Sequence, residues 1–209
     1  MKLAIFYHIL QSDLGAFIYQ EQVHRLYTSG LIKEASHIHF GVNGNQELFN
    51  VPDNVIVNYN NNQNWGSEKE TLLDLRDFCM KNPGYKVLYF HTKGSSNSSL
   101  INNAWRLFME HYVLDKWKTC VEYLNEYDCC GVDYFDSYFL GNFWWANASY
   151  INKLNVDYLM DNDRYGKELW IGSYNNKNPK CLQYSEMTRD LGSFRIKIDN
   201  KTGTTQFKL

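Results

Sequence analysis

A chain of 209 residues, 44% of them hydrophobic, is long enough to bury a sizeable core in one domain. A formal net charge of −2, with no long basic run, excludes a nucleic-acid backbone as a partner. Five cysteines, an odd number without Cys-x-x-Cys spacing, argue against a disulfide framework or a zinc site, and no apolar run reaches transmembrane length.

Lys2 to His8 is apolar on both faces and predicts a first, buried strand. Leu14 to Ser29 predicts a helix ended by Gly30. Ala35 to Val42 and Asn54 to Tyr59 predict the next two strands, and Asn60 to Asn64 a polar loop. Gly66 to Met80 carries Leu72, Leu75 and Cys79 on one helical face. Lys86 to His91 follows the Pro83-Gly84 turn as an apolar strand, which stops in Thr92-Lys93-Gly94. Residues 100–126 repeat Trp105, Phe108, Tyr112, Leu114, Trp117, Val121 and Leu124 at helical spacing, predicting one long helix. Tyr127 to Asp133 and Phe139 to Ala146 predict strands, Ile151–Leu154 and Gly166–Ile171 helical pieces, and 194–208 a hairpin. The alternation predicts an α/β domain with a mostly parallel central sheet flanked by helices and a mixed second half. No linker divides residues 1–209, so residues 1–95 and 96–209 are expected to be two halves of a single domain.

In such sheets ligands bind beyond the carboxyl ends of the strands, which is where His91-Thr92-Lys93 falls. Lysine is a point charge suited to phosphate, and histidine can donate, accept or ligate a metal. Neither Gly-x-Gly-x-x-Gly nor a Gly-x-x-x-x-Gly-Lys loop occurs in the first half, which removes support for dinucleotide and nucleotide-triphosphatase readings. Within Gly141-Asn142-Phe143-Trp144-Trp145-Ala146, strand alternation would turn one tryptophan to the core and the other outward as a sugar platform, with Asn142 beside it. Asp133 and Asp136 follow a strand end, as turn formers or as sugar or metal ligands. Glu168 precedes Trp170, with Arg164 and Lys167 near enough for an ordinary ion pair.

The order of these blocks resembles the GT-A class of nucleotide-sugar glycosyltransferases. There, the strand after the second helix carries an Asp-x-Asp that holds a divalent metal on the diphosphate. The His-Thr-Lys variant, with Trp105-Arg106, the Gly141–Ala146 block and Glu168-x-Trp170, is similar to a narrower group. Its members are sugar transferases of bacterial polysaccharide synthesis and of large algal DNA viruses, rhamnosyltransferases among them. The similarity covers residues 1 to about 175.

This resemblance implies a GT-A-like domain that transfers a sugar, rhamnose by the same analogy, from a UDP- or dTDP-linked donor to a glycan or glycoprotein hydroxyl. By that reading Tyr7, His8, Trp65 and Glu68 frame the nucleotide, and His91 and Lys93 hold the diphosphate. Asn142, Trp144 and Trp145 shape the sugar or acceptor pocket, and Glu168 is the base, with Asp133 as its alternative. Replacement of Asp-x-Asp leaves two options open: Mn2+ or Mg2+ on Asp133 or Asp136, or neutralisation by Lys93 without a cation. Reduced thiols point to the cytoplasm, that of the host if the chain is viral. Two rivals stand beside it: a non-catalytic module binding a nucleotide sugar or glycan, and a phosphate-ester hydrolase acting through His91.

Overall fold

The computed structural model describes residues 1–44, 47–60, 68–96, 99–161 and 164–185, together with the strand backbones 195–198 and 205–208. The expected loop at 61–64 and Trp65 lie outside the described residues.

Seven strands form one sheet: β1 (Leu3–Leu10), β2 (His37–Asn43), β3 (Val55–Asn60), β4 (Lys86–His91), β5 (Cys129–Gly131), β6 (Trp144–Asn147) and β7 (Pro179–Cys181). Their spatial order is β3-β2-β1-β4-β6-β5-β7. The first four are mutually parallel. β6 runs antiparallel to both neighbours, and β7 is parallel to β5. The fold is thus a mixed α/β domain whose central sheet, mostly parallel, continues through both halves of the chain. β1 lies centrally and every one of its residues is buried, as its unbroken apolar run requires.

Helices cover both faces. α1 (Asp13–Thr28) starts at Ser12, whose hydroxyl accepts from the Gly15 amide at 2.9 Å. It buries Ile18, Tyr19, Gln22, Val23 and Leu26 as one stripe. A short helix, α2 (Leu31–Glu34), follows Gly30, which has φ 75°. α3 (Lys69–Lys81) buries Leu72, Leu75 and Cys79 on the other face. It approaches β2 so closely that a Cβ at Gly41 would sit 2.0 Å from Thr71 Oγ1. Odd residues of β1 therefore pack with α1, and even ones with α3.

The helix expected over 100–126 is broken. α4 (Leu100–Glu110) passes into a π-helical segment, His111–Asp115, and resumes as α5 (Trp117–Tyr123). The strand expected over 139–146 is also divided. Tyr138–Phe139 pairs back onto Tyr134–Phe135 as a small hairpin, and β6 begins only at Trp144. Three short helices follow, α6 (Ala148–Ile151), α7 (Asp157–Met160) and α8 (Arg164–Leu169), then a 3₁₀ turn over Trp170–Gly172. The terminal segments pair antiparallel, Ile196 opposite Phe207, as the alternation predicts. Among the described residues, no helix is long and apolar enough to cross a membrane.

Candidate functional site

The parallel register sets His8 beside His91 at the carboxyl ends of β1 and β4. Thr92 fastens those ends together: its hydroxyl accepts from the Leu10 amide and its amide donates to the His8 carbonyl, both at 3.0 Å. The His-Thr-Lys triplet thus stands where the carboxyl-edge rule expects it.

The side chains around it form an inward polar cluster. Glu68, just ahead of α3, accepts from the Tyr89 hydroxyl at 2.6 Å and from Asn142 Nδ2 at 2.7 Å. Its other oxygen lies 3.8 Å from His91 Nδ1. Burial would raise the Glu68 pKa, but His91, His8 and the two hydrogen bonds outweigh it and hold the carboxylate below its ordinary value. His91 Nε2 is 3.0 Å from the Gly141 carbonyl, which can only accept, so that nitrogen carries the proton. Asn142 Oδ1 accepts from Trp144 Nε1 at 2.7 Å, which uses both ends of the amide.

These contacts correct several expected roles. Tyr7 is fully buried and stacks on Phe90 at 4.2 Å in the layer beneath α1, so it frames no nucleotide. Glu68 and Asn142 point into the cluster, and both His91 nitrogens face protein groups. Neither tryptophan is an outward platform, because helices cover both sheet faces. Trp144 packs against Tyr89 and Trp170, and Trp145 donates to the Val113 carbonyl at 2.9 Å on the opposite side. Asp133 is buried and engaged by Trp105 Nε1 at 3.1 Å, by the Ser185 hydroxyl at 2.6 Å and by the Ser185 amide. That leaves it a clamp on the chain after β7 and not an available base. Asp136 is exposed at the hairpin turn. Among the described residues, no group of three or more His, Cys, Asp or Glu side chains is placed to hold a metal ion.

Two expected residues remain on the approach to the cluster. Lys93 lies over the Trp105 ring, 4.4 Å from its centre. Glu168, in α8, is half-buried and close enough to Tyr89 and Tyr138 to raise both phenols, behind the larger effect of burial. Tyr89 thus has one carboxylate bonded to it and a second near it. Left-handed backbone gathers here as well, at Asp133, Asp136, Ser137 and Asn142, with φ of 51°, 46°, 100° and 59°. Such non-glycine conformations cost about 1–3 kcal/mol each and concentrate at functional sites.

Sequence reasoning missed the support beneath this edge. Gln22 interrupts the apolar stripe of α1, and its Nε2 reaches both the His91 carbonyl at 3.1 Å and Glu110 Oε1 at 2.7 Å. Glu110 in turn pairs with Arg106 Nη1 at 2.7 Å and with Arg25 Nε at 3.1 Å. The available signal was a fully amphipathic helix with one amide on its buried face.

His8 provides a pH test of this geometry. It is 2% exposed, with Nδ1 3.0 Å from Thr71 Oγ1. Burial pushes its imidazole from 6.5 down to about 4, against the pull of Glu68 and with the help of His91. The unfolded chain therefore takes up this proton first. The share of folded stability tied to His8 should be complete above pH 6.5 and fall by roughly 3 kcal/mol as the pH drops to about 4. Glu68 adds its own loss only below 4.5. His8→Gln should remove most of the upper part of this loss, read as urea midpoints across that range. An unchanged pH dependence would mean that His8 is not held neutral.

No curated protein matches the chain. Residues 8–160, which include the end of β1, β2 to β6 and the whole polar cluster, match the model of a domain of unknown function, DUF8361. That match spans well over half of the 209 residues, and the chain belongs to the DUF8361 family.

Proposed function

We propose that this protein is a GT-A-type glycosyltransferase that moves a sugar from a UDP- or dTDP-linked donor to a glycan or glycoprotein hydroxyl. The observation that carries this reading is the braced carboxyl edge of β1 and β4, where Glu68 accepts from Tyr89 and Lys93 stands on the following loop over Trp105. A mixed α/β domain with a mostly parallel central sheet supports this reading without singling out the GT-A class.

Lys93 neutralises the diphosphate and stabilises the charge that leaves with it. The acceptor oxygen bonds to the anomeric carbon as the bond from that carbon to the diphosphate oxygen breaks, with inversion. Glu168 takes the acceptor proton. His91, Glu68 and Asn142 act indirectly: they fix the 141–144 block against the end of β4. Rhamnose is the sugar suggested by resemblance. We place the reaction in the cytoplasm, of the host if the chain is viral, where the five free thiols stay reduced.

Nucleotide binding tests the donor assignment. UDP or dTDP at about 100 times its dissociation constant should stabilise the fold by about 2.7 kcal/mol, seen as a raised melting temperature. No shift with either nucleotide at millimolar concentration, with or without manganese, would sink the assignment. Lys93→Ala should then weaken UDP by roughly 1.5–3 kcal/mol and leave uridine nearly unchanged, because only UDP carries the phosphates. Equal weakening of both ligands would show a disturbed fold and not a lost phosphate contact.

A further inference from the structure

Lys93 is held at both its backbone and its ammonium. Its amide donates to the His91 carbonyl at 2.8 Å, a tight turn at the braced end of β4 that runs into Gly94 at φ 90°. Its Nζ lies over the Trp105 ring, 4.4 Å from the centre. That ring is itself anchored. Trp105 stands in the second turn of α4, and its Nε1 donates to Asp133 Oδ2 at 3.1 Å. Asp133 is 4% exposed, and its main chain is tied on both sides. The amide donates to the Gln183 carbonyl at 2.9 Å, and the carbonyl accepts from the Leu140 amide at 3.1 Å. The Ser185 hydroxyl and amide complete the bonding of the carboxylate. Beside the indole, a Cβ at Gly141 would lie 3.3 Å from Cζ2. The ring is thus seated between a buried carboxylate and the turn that opens the 141–144 block.

The stem of a lysine is flexible, and that freedom is lost when the ammonium meets an anion. An aromatic face attracts the ammonium beforehand, and tryptophan does so best among the rings. A carboxylate bonded to the indole N–H polarises the ring and strengthens the attraction. A carboxylate in the ring's place would instead compete with phosphate for the same charge. We infer that Trp105 is a positioning residue, whose ring, seated by Asp133, holds the Lys93 ammonium in place for a diphosphate. The inference rests on the transferase reading only in taking Lys93 as the anion contact, so pyrophosphate tests it without sugar or nucleotide.

Inorganic pyrophosphate is titrated into the full chain and followed by calorimetry and by the indole N–H signals of the NMR spectrum. The signal missing from Trp105→Phe is that of Trp105. It should move in Lys93→Ala without ligand, and in the wild type when pyrophosphate is added, with the other indole signals nearly unchanged. Trp105→Leu should weaken pyrophosphate by about ten-fold. Trp105→Phe keeps an aromatic face, should lose only about three-fold, and guards against misfolding. Lys93→Ala combined with Trp105→Leu should bind no more weakly than Lys93→Ala alone, since the ring acts through the lysine. Wild-type affinity in Trp105→Leu, additive losses in the double variant, or no pyrophosphate binding by the wild type would overturn the inference. The UDP melting shift judges the donor assignment separately. A shift undiminished in Trp105→Leu keeps that assignment and overturns the inference. Pyrophosphate binding coupled to both residues, without any response to UDP or dTDP, upholds the inference and removes the donor assignment.

Discussion

Replacing Glu110 by alanine is expected to destabilise the protein by roughly 3–5 kcal/mol, because it strips the counter-charge from arginines below the surface. Glu110 is fully buried and Arg106 is 2% exposed. Arg106 also reaches Glu21 and Asn103, each at 2.7 Å, but neither replaces the carboxylate at Nη1. Arg25 keeps a second partner, Asp115, at 2.6 Å, and Gln22 keeps the His91 carbonyl at 3.1 Å, so most of the cost should come from Arg106. The midpoint of urea unfolding should fall while its slope stays constant. The double change Glu110→Ala with Arg106→Met should recover part of the loss, since a buried pair removed together leaves no orphan charge. A single variant with a near-normal midpoint would show that the network carries no weight. A fold that survives the change should still bind UDP less well, because Gln22 holds the His91 carbonyl through this network.

Glu168→Gln should lower turnover by roughly 10²–10⁴-fold and leave nucleotide affinity nearly unchanged. The amide keeps the size and hydrogen-bonding reach of the carboxylate and removes its basicity. Among the described residues, no side chain hydrogen-bonds Glu168. Asp133, by contrast, is held by Trp105 and Ser185, and Asp133→Asn should act mainly by loosening the segment after β7. Measured as single-turnover transfer from UDP- or dTDP-sugar, near-normal turnover in Glu168→Gln would remove its role as base. Absence of any transfer or slow donor hydrolysis in the wild type, with nucleotide binding intact, would favour the non-catalytic module.

The elements legible in the sequence were those whose burial is dictated locally. β1 and β4 declare themselves as unbroken apolar runs, and the ligand edge follows from where those runs stop. The alternation at Trp144-Trp145 was also legible, but not the depth of both rings, because that depends on α3 and α5 lying on opposite sheet faces. Glu68 and Asn142 looked like ligand-facing polar residues. Only the tertiary fold brings Tyr89 and Trp144 close enough to consume their hydrogen bonds. β7 escaped notice because Pro179-Lys180-Cys181 is short, carries a proline and a charge, and pairs only at the sheet margin. Arg106 and Glu110 were hidden in an aromatic stripe, although their spacing of four is that of a helical ion pair.

The π-helical segment makes the length of this region as consequential as its composition. In it the Lys116 amide donates to the His111 carbonyl, a longer reach than an α-helix uses. Each residue gained or lost in a helix turns everything beyond it by about 100°. Five residues at this wider pitch turn the chain about as far as four at α-helical pitch. The segment thus takes up one residue while α5 stays seated, with Trp117 Nε1 donating to the Ser29 carbonyl at 3.1 Å and the Cys120 thiol to the Tyr112 carbonyl. Deletion of one residue within His111–Asp115 should therefore regularise the pitch and keep both contacts, whereas a second deletion would turn α5 by about 100° and break them.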